Sequence, residues 1–310
     1  MQFSLYIRSL ETYPAMLEAT RYADELGLYG VFINDHFMGL GSDPREPYLE
    51  AFTAMTGIGV ETKRIRVGQI TLFNSMRNPA VLAKMISTLD NMTGGRYETI
   101  IGAGWNEPEY KGYDLMEQGR GMPEAGERVT RLKEAVQILR GLFDNECFRF
   151  EGKYWKLEDA YNLPQPIQRP MKISIGARQP RMISIAAKYG DGMNGSGNLD
   201  ALRGYLKHLE PELKKNNRKI RDFYLTGFAS FTVTKNEEEA ETIYKKIAKE
   251  KSIENVRKNE FVGTTEDLIQ KLRIAQDMGV KMMIVIPRAN NVPEIKEYVT
   301  KLRDEVFQRL

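Results

Sequence analysis

Apolar positions fall along the chain in two alternating rhythms. Short runs with little polar interruption, at 3–7, 30–34, 65–73, 97–103, 172–175, 190–194, 223–233 and 280–286, have the character of strands buried on both faces. Between them apolar residues return every three or four positions, which predicts helices at 13–26, 49–60, 80–92, 125–143, 180–188, 199–215, 237–250, 265–278 and 293–310. Gly27 is placed to end the first helix, Pro79 to open the third, and Thr264 to cap the helix over 265–278. Residues 261–264 read as a turn leading into that cap. One stretch breaks the rhythm: 148–155 looks like a hairpin, and Pro164, Pro166 and Pro170 punctuate the residues after it. Its aromatic residues are worth burying, so 147–170 reads as an insertion on the same domain.

Eight strands, each followed by a helix, predict an α/β fold over 1–310 as a single domain. That count suits a closed (β/α)8 TIM barrel better than an open doubly wound sheet. In such a barrel the ligand sits at the C-terminal ends of the strands, so every strand exit is a candidate site.

Composition narrows the class. In 310 residues, 45 basic and 42 acidic side chains leave a net charge of +3, which gives no electrostatic case for nucleic acid or an anionic membrane. The single cysteine, Cys147, excludes an internal disulfide and a cysteine-built metal cage. The only histidines are His36 and His208, which argues against a barrel hydrolase that gathers histidines around a metal. No apolar run reaches the roughly 20 residues of a membrane span. Residues 1–7 lack the basic start and long apolar stretch of a signal peptide. A cytoplasmic enzyme acting on a small molecule, with no metal, is the expectation.

The strand exits carry the candidate chemistry. They are Asp35 and His36 after strand two; Gln69, Ile70 and Thr71 in a strand-three segment that runs on to Asn74; and Gly104, Trp105, Asn106 and Glu107 after strand four. Gly176, Ala177 and Arg178 follow strand five, Asn194, Gly195 and Ser196 follow strand six, and Pro287-Arg288 follows strand eight. Glycines with an arginine ahead of a Pro-started helix suit a phosphate, because open backbone N–H groups and a helix N-terminus favour anions. His36 and Glu107 make a second, polar end, with His36 the leading general acid/base and Glu107 the next. Each has a plainer alternative: His36 as a hydrogen-bonded partner of Asp35, Glu107 and Glu109 as a solvated loop, Trp105 as a pocket wall. The Gly102–Gly104 triplet lacks the third glycine and the following helix of a dinucleotide fingerprint. His208 and the lysines of 245–251 read as solvated surface.

With these residues in hand the chain resembles the bacterial-luciferase-like oxidoreductase superfamily, which is built on a (β/α)8 barrel. The resemblance rests on Asp35-His36-Phe37, Thr62-Lys63-Arg64-Ile65-Arg66-Val67-Gly68, Arg77-Asn78-Pro79-Ala80, Thr88-Leu89-Asp90, Gly94-Gly95-Arg96, Gly102-Ala103-Gly104-Trp105, Phe150-Glu151-Gly152 and Pro164-Gln165-Pro166-Ile167-Gln168. Two cofactor branches share this frame, one using flavin mononucleotide (FMN) and one the deazaflavin coenzyme F420. Asp35-His36, Gly102-Ala103-Gly104-Trp105 with the Asn-Glu-x-Glu-Tyr run Asn106-Glu107-Pro108-Glu109-Tyr110, and Asp191-Gly192-Met193-Asn194 look more like the F420 branch. The resemblance implies that Asp35 and His36 lie by the ring and that Gly104–Asn106 pass close to it. Around Gln69–Thr71 it implies a bulge, often with a non-prolyl cis peptide; Gly176, Ala177, Arg178, Gly195 and Ser196 would hold the phosphate. Sugar-phosphate dehydrogenases of that branch carry a carboxylate directly after Gly-x-Gly, where this chain has Trp105. The resulting expectation is an F420-dependent oxidoreductase transferring hydride, with an FMN monooxygenase and a non-catalytic cofactor-binding relative as alternatives. Loops 39–47 and 111–124 are expected to cover the substrate, and a homodimer is expected because dimers are common among such barrels.

Overall fold

A computed structural model describes residues 1–7, 12–41, 43–248, 252–289 and 291–310. The barrel strands are β1 (Gln2–Tyr6), β2 (Gly30–Ile33), β3 (Arg66–Gln69, resuming at Leu72–Phe73) and β4 (Tyr97–Gly102). They continue as β5 (Ile173–Gly176), β6 (Gly192–Ser196), β7 (Tyr224–Ser230) and β8 (Val280–Ile286). Each pairs in parallel with the next, and β8 pairs back to β1 through Gln2↔Met282, which closes the barrel. Helices cross over between the strands, as parallel pairing requires. The expected (β/α)8 architecture is therefore the observed one.

Adjacent strand residues point to opposite faces, and this divides the core in two. Leu5, Met283 and Val285 pack outward against the helices, while Tyr6, Phe32, Ile100, Met282 and Ile284 gather in a second cluster with Ile70. Around the start of β3, Arg66 pairs with Glu98 and bonds Gln168, and the Tyr29 hydroxyl donates to Glu98 at 2.8 Å. This buried charged group has its remaining bonds supplied by backbone carbonyls, as an ion pair in such a place requires.

Several boundaries differ from the sequence expectation. The third strand, expected as one run over 65–73, breaks at Ile70–Thr71, where the peptide bond is cis, the place and kind of bond the resemblance implies. The seventh ends at Ser230, and Thr232–Val233 turns to pair with Val262–Gly263 in a small separate sheet, so 261–264 is more than a turn. A helix over Ile253–Asn259, capped by the Ser252 side chain, was not anticipated. The helix expected over 237–250 is observed as Glu237–Ile247; 249–250 lie outside the described residues. The insertion is a hairpin of Cys147–Glu151 and Lys156–Tyr161, pinned to the barrel where the Lys153 and Tyr154 amides donate to Glu134, each at 2.9 Å. Among the described residues no helix is long and apolar enough to cross a membrane.

Candidate functional site

A cavity of about 670 Å³ opens at the C-terminal ends of the barrel strands. Of the expected site residues, His36, Ile70, Thr71, Gly104, Trp105, Gly176, Ala177, Arg178, Asn194 and Gly195 line it. Tyr6, Asn34, Leu40, Phe73, Met182 and Phe228 complete most of the wall. Its character is apolar and aromatic with a few polar groups, as small-molecule sites commonly are.

The polar end is built from two exits. Just beyond β2, Asn34 and His36 line the cavity, while Asp35 between them is directed to Arg77. His36 Nδ1 lies 2.6 Å from Glu109 Oε2, and its ring meets Phe73 and Trp105 edge to face at 5.9 and 5.7 Å. Glu109 is fully buried and also accepts from the Phe37 amide at 2.6 Å and from Asn106 Nδ2 at 2.9 Å. Burial pushes the Glu109 carboxyl up, but the bonds from His36, Phe37 and Asn106 outweigh it and hold the group below its ordinary value. An ionised carboxylate only accepts, so Nδ1 must carry the proton and Nε2 is the nitrogen left for a ligand.

Five expected site residues stand off the cavity wall, each for a physical reason. Asp35 is buried against Arg77, with bonds of 2.6 and 3.0 Å, and takes the Phe73 amide at 2.9 Å, so its carboxylate is spent behind the cavity wall. Gln69 is spent inside the core on the Ala51 carbonyl and the Tyr97 hydroxyl. Asn106 sits behind His36, bonded to Glu109. Ser196 closes its own turn, accepting from the Asn198 amide at 3.4 Å. Glu107 is exposed and paired with Lys111 at 2.6 Å, which lowers its pKa through that hydrogen bond and charge.

The carboxylate that meets His36 is therefore Glu109. The expected loop after Trp105 contains a short helix, Glu107–Gly112, with Asn106 at its N-cap position and Pro108 in its first turn. Two residues apart on a helix is about 200° of rotation, so Glu107 faces water when Glu109 faces His36. The Asn-x-Pro start was the available signal for this helix. Accordingly, Glu107→Gln is expected to leave turnover at the wild-type level, because this carboxylate is exposed, paired with Lys111 and off the cavity wall; a steady-state assay checks it.

The Gly-Ala-Gly exit makes room for the chain's own third strand. A Cβ on Gly104, whose φ is +82°, would fall 1.9 Å from the Phe73 ring. Added Cβ atoms on Gly102 and Gly176 would fall 2.4 and 2.7 Å from the Thr71 side chain, which lies against the ends of both strands. These glycines let Thr71 and Phe73 reach the cavity.

The anion end also differs in detail. The Ala177 amide is used by the Asn194 carbonyl at 2.9 Å, and the Ser196 amide by the Tyr205 hydroxyl at 3.3 Å. The helix Leu199–Lys215 is capped by Asn198, whose side chain accepts from Asp200 and Ala201. The helix Pro180–Tyr189 has no side-chain cap, and its first bond runs from the Ile183 amide to Gln179, leaving the Arg181 and Met182 amides ahead of it. Arg178, exposed and lining the cavity, stands beside that start. This is the anion-ready place.

The C-terminal mouth of this parallel barrel thus combines an aromatic cavity, an imidazole–carboxylate pair and the uncapped start of the helix Pro180–Tyr189. The chain belongs to the luciferase-like monooxygenase family, whose model matches residues 2–278. It is 30% identical over 205 residues to an F420-dependent glucose-6-phosphate dehydrogenase of Amycolatopsis mediterranei, covering 64% of this chain and 58% of that protein. It is 35% identical over 143 residues to the pyrimidine monooxygenase RutA of Enterobacter cloacae, covering 46% of this chain and 38% of that one. The matches thus span well under two thirds of these relatives. An F420-dependent secondary alcohol dehydrogenase solved with an F420–acetone adduct superposes with a TM-score of 0.80 over 98% of both chains, at 18% identity, a likeness of fold.

Proposed function

We propose that the protein is a coenzyme F420-dependent oxidoreductase moving a hydride between the deazaflavin and a small organic substrate. The observation that carries this reading is His36, held by ionised Glu109 at the wall of a cavity that also bears Arg178 and an uncapped helix start. The residues present fit a flat ring with a phosphate-bearing tail. Phe73, Trp105 and Phe228 offer flat aromatic contacts and Ile70 an apolar one, and Arg178 with the Arg181 and Met182 amides suits an anion. When bound, F420 supplies a ring carbon that takes or gives hydride and reacts poorly with oxygen.

His36 handles the proton. With Nδ1–H donated to Glu109, Nε2 takes a proton from a substrate hydroxyl, or returns one to a carbonyl in the reverse direction. The Glu109 anion steadies the imidazolium formed, and Asn106 with the Phe37 amide holds that carboxylate in place. Trp105, 61% exposed, walls the mouth. It stands where a sugar-phosphate enzyme of this kind carries a carboxylate, so glucose 6-phosphate is not the proposed substrate.

The F420-named relative supports this cofactor; the monooxygenase relative supports a second reading, with reduced FMN on the same frame. Titration of the purified protein with F420 and with FMN separates them. F420 is expected to bind at least tenfold more tightly, about 1.4 kcal/mol. Tight binding of FMN with none of F420 overturns the first reading in favour of the second.

A further inference from the structure

A second cavity, of about 230 Å³, begins one residue past the wall of the first. Phe73 lines the barrel mouth, and Asn74 and Ser75, in the short turn that follows the third strand, line the second cavity. Across from them stand Leu115, Met116, Glu117 and Arg120 of the loop 113–124, Arg131 of the helix Ala125–Asp144, and Trp155 of the insertion hairpin. Asn74 is 3% exposed, yet nothing among the described residues bonds its carboxamide. Neither end of that carboxamide is sealed off, so the little surface it keeps opens into this cavity. The Trp155 indole N–H differs: it is unpartnered and sealed, so Trp155 serves as wall. A buried carboxamide that is both open and unbonded offers a donor and an acceptor to whatever enters.

The surroundings are positive. Arg131 and Arg120 share Glu127, at 2.8 and 3.4 Å, and Arg131 lies over the Tyr154 ring at 4.2 Å. Arg128 bonds only the Gly104 and Pro123 carbonyls, with no carboxylate of its own among the described residues. The Tyr110 hydroxyl, 2.9 Å from Ser75 Oγ, feels the charges of both Arg128 and Arg131. Three guanidinium groups thus meet two carboxylates, Glu127 and the exposed Glu117.

We propose that this second cavity binds a small free monocarboxylate, its anionic end taken by Arg120 and Arg131 with an N–H of Asn74, and its carbon end packed on Leu115, Met116 and Trp155. The planar fork of a guanidinium matches a carboxylate. The volume lies below the usual range for ligand sites, which limits the carbon chain to a few atoms. Glu117, on the same wall, disfavours a second negative charge. An occupant joins the loop 113–124 to the strand exit that carries Phe73. The site is separate from the anion place at Arg178, and the inference does not rest on the cofactor.

The test is a calorimetric titration of the whole protein with sodium propionate and with propionamide, its uncharged counterpart. So small a ligand is expected to bind with a Kd of about 1 mM, and propionamide at least tenfold more weakly. Arg120→Gln and Asn74→Asp are each expected to weaken propionate roughly fivefold or more, the first by removing a donor and the second by adding a like charge. Arg178→Gln is expected to leave propionate affinity unchanged. Thermal melting accompanies each variant; Arg120 is exposed, so Arg120→Gln keeps the fold and carries the result if Asn74→Asp melts early. Three results overturn the inference: no saturable propionate binding by wild type up to about 50 mM, propionamide binding as tightly as propionate, or a loss seen in Arg178→Gln and absent from Arg120→Gln. Because neither probe is a cofactor, none of these results bears on the choice between F420 and FMN.

Discussion

Replacing His36 by alanine is expected to lower kcat by a factor of about 10² to 10⁴, the usual share of a positioned acid or base, with cofactor affinity nearly unchanged. Nδ1 is tied to Glu109, so the loss falls on proton transfer at Nε2 and not on the anchoring of the cofactor's tail near Arg178. Glu109→Gln is expected to lose less, about tenfold to a hundredfold, because the imidazole stays while its charged support goes. The two variants also differ in acid. Glu109 has its pKa lowered in the fold from an ordinary value of 4.5, burial being outweighed by His36, Phe37 and Asn106. A depressed carboxylate stabilises the fold above its unfolded pKa, and that contribution disappears as the pH falls through the folded one. The stability gap between wild type and Glu109→Gln is therefore fully present above the ordinary value of 4.5 and narrows as the pH falls below it. Steady-state kinetics and melting curves across pH measure both effects. Full turnover by His36→Ala with unchanged cofactor affinity would place the proton donor elsewhere.

Arg77→Leu is expected to be the most destabilising change near the site. Arg77 is nearly buried, pairs with Asp35 at 2.6 and 3.0 Å, and also bonds Glu50. Burial works against the guanidinium charge, but the carboxylates of Asp35 and Glu50 more than offset it and push its pKa up. Removing one partner of a buried pair leaves the other charge uncompensated, at about 3–5 kcal/mol. For a chain of 310 residues that is a fall in Tm of about 5 to 8 °C. Asp35 also takes the Phe73 amide and immediately precedes His36, so activity is expected to fall together with stability. Melting within 1 °C of wild type, measured by calorimetry, would show that Asp35 is satisfied without Arg77 and that the pair does not brace the site.

Much of the architecture was legible because its signals are local. A strand buried on both faces needs an unbroken apolar run, and a helix on its outside needs apolar residues every three or four positions. Both patterns survive in one dimension, so the eight-strand alternation and the placement of His36, Gly104, Gly176 and Arg178 at strand exits could be read directly. The insertion hairpin was visible for the same reason. The small sheet of Thr232–Val233 with Val262–Gly263 was not, because two-residue strands carry no period and form only through pairing with each other.

What the sequence by itself determined is which residues reach the mouth of the barrel; which way they face, and whom they meet, only the tertiary structure decided. Asp35 and His36 are neighbours in the chain, yet one meets Arg77 and the other the cavity. Glu107 and Glu109 look equivalent in a polar stretch until a short helix turns them some 200° apart, one toward Lys111 and one toward His36. The glycines after the fourth strand suggest space for a ligand, but the space is taken by Thr71 and Phe73 from the strand alongside. The physical reason is common to all three. Hydrophobic periodicity is a property of neighbours along the chain, whereas a buried carboxylate's partner, or the atom that a missing Cβ makes room for, comes from elements tens of residues away that only barrel closure brings within reach.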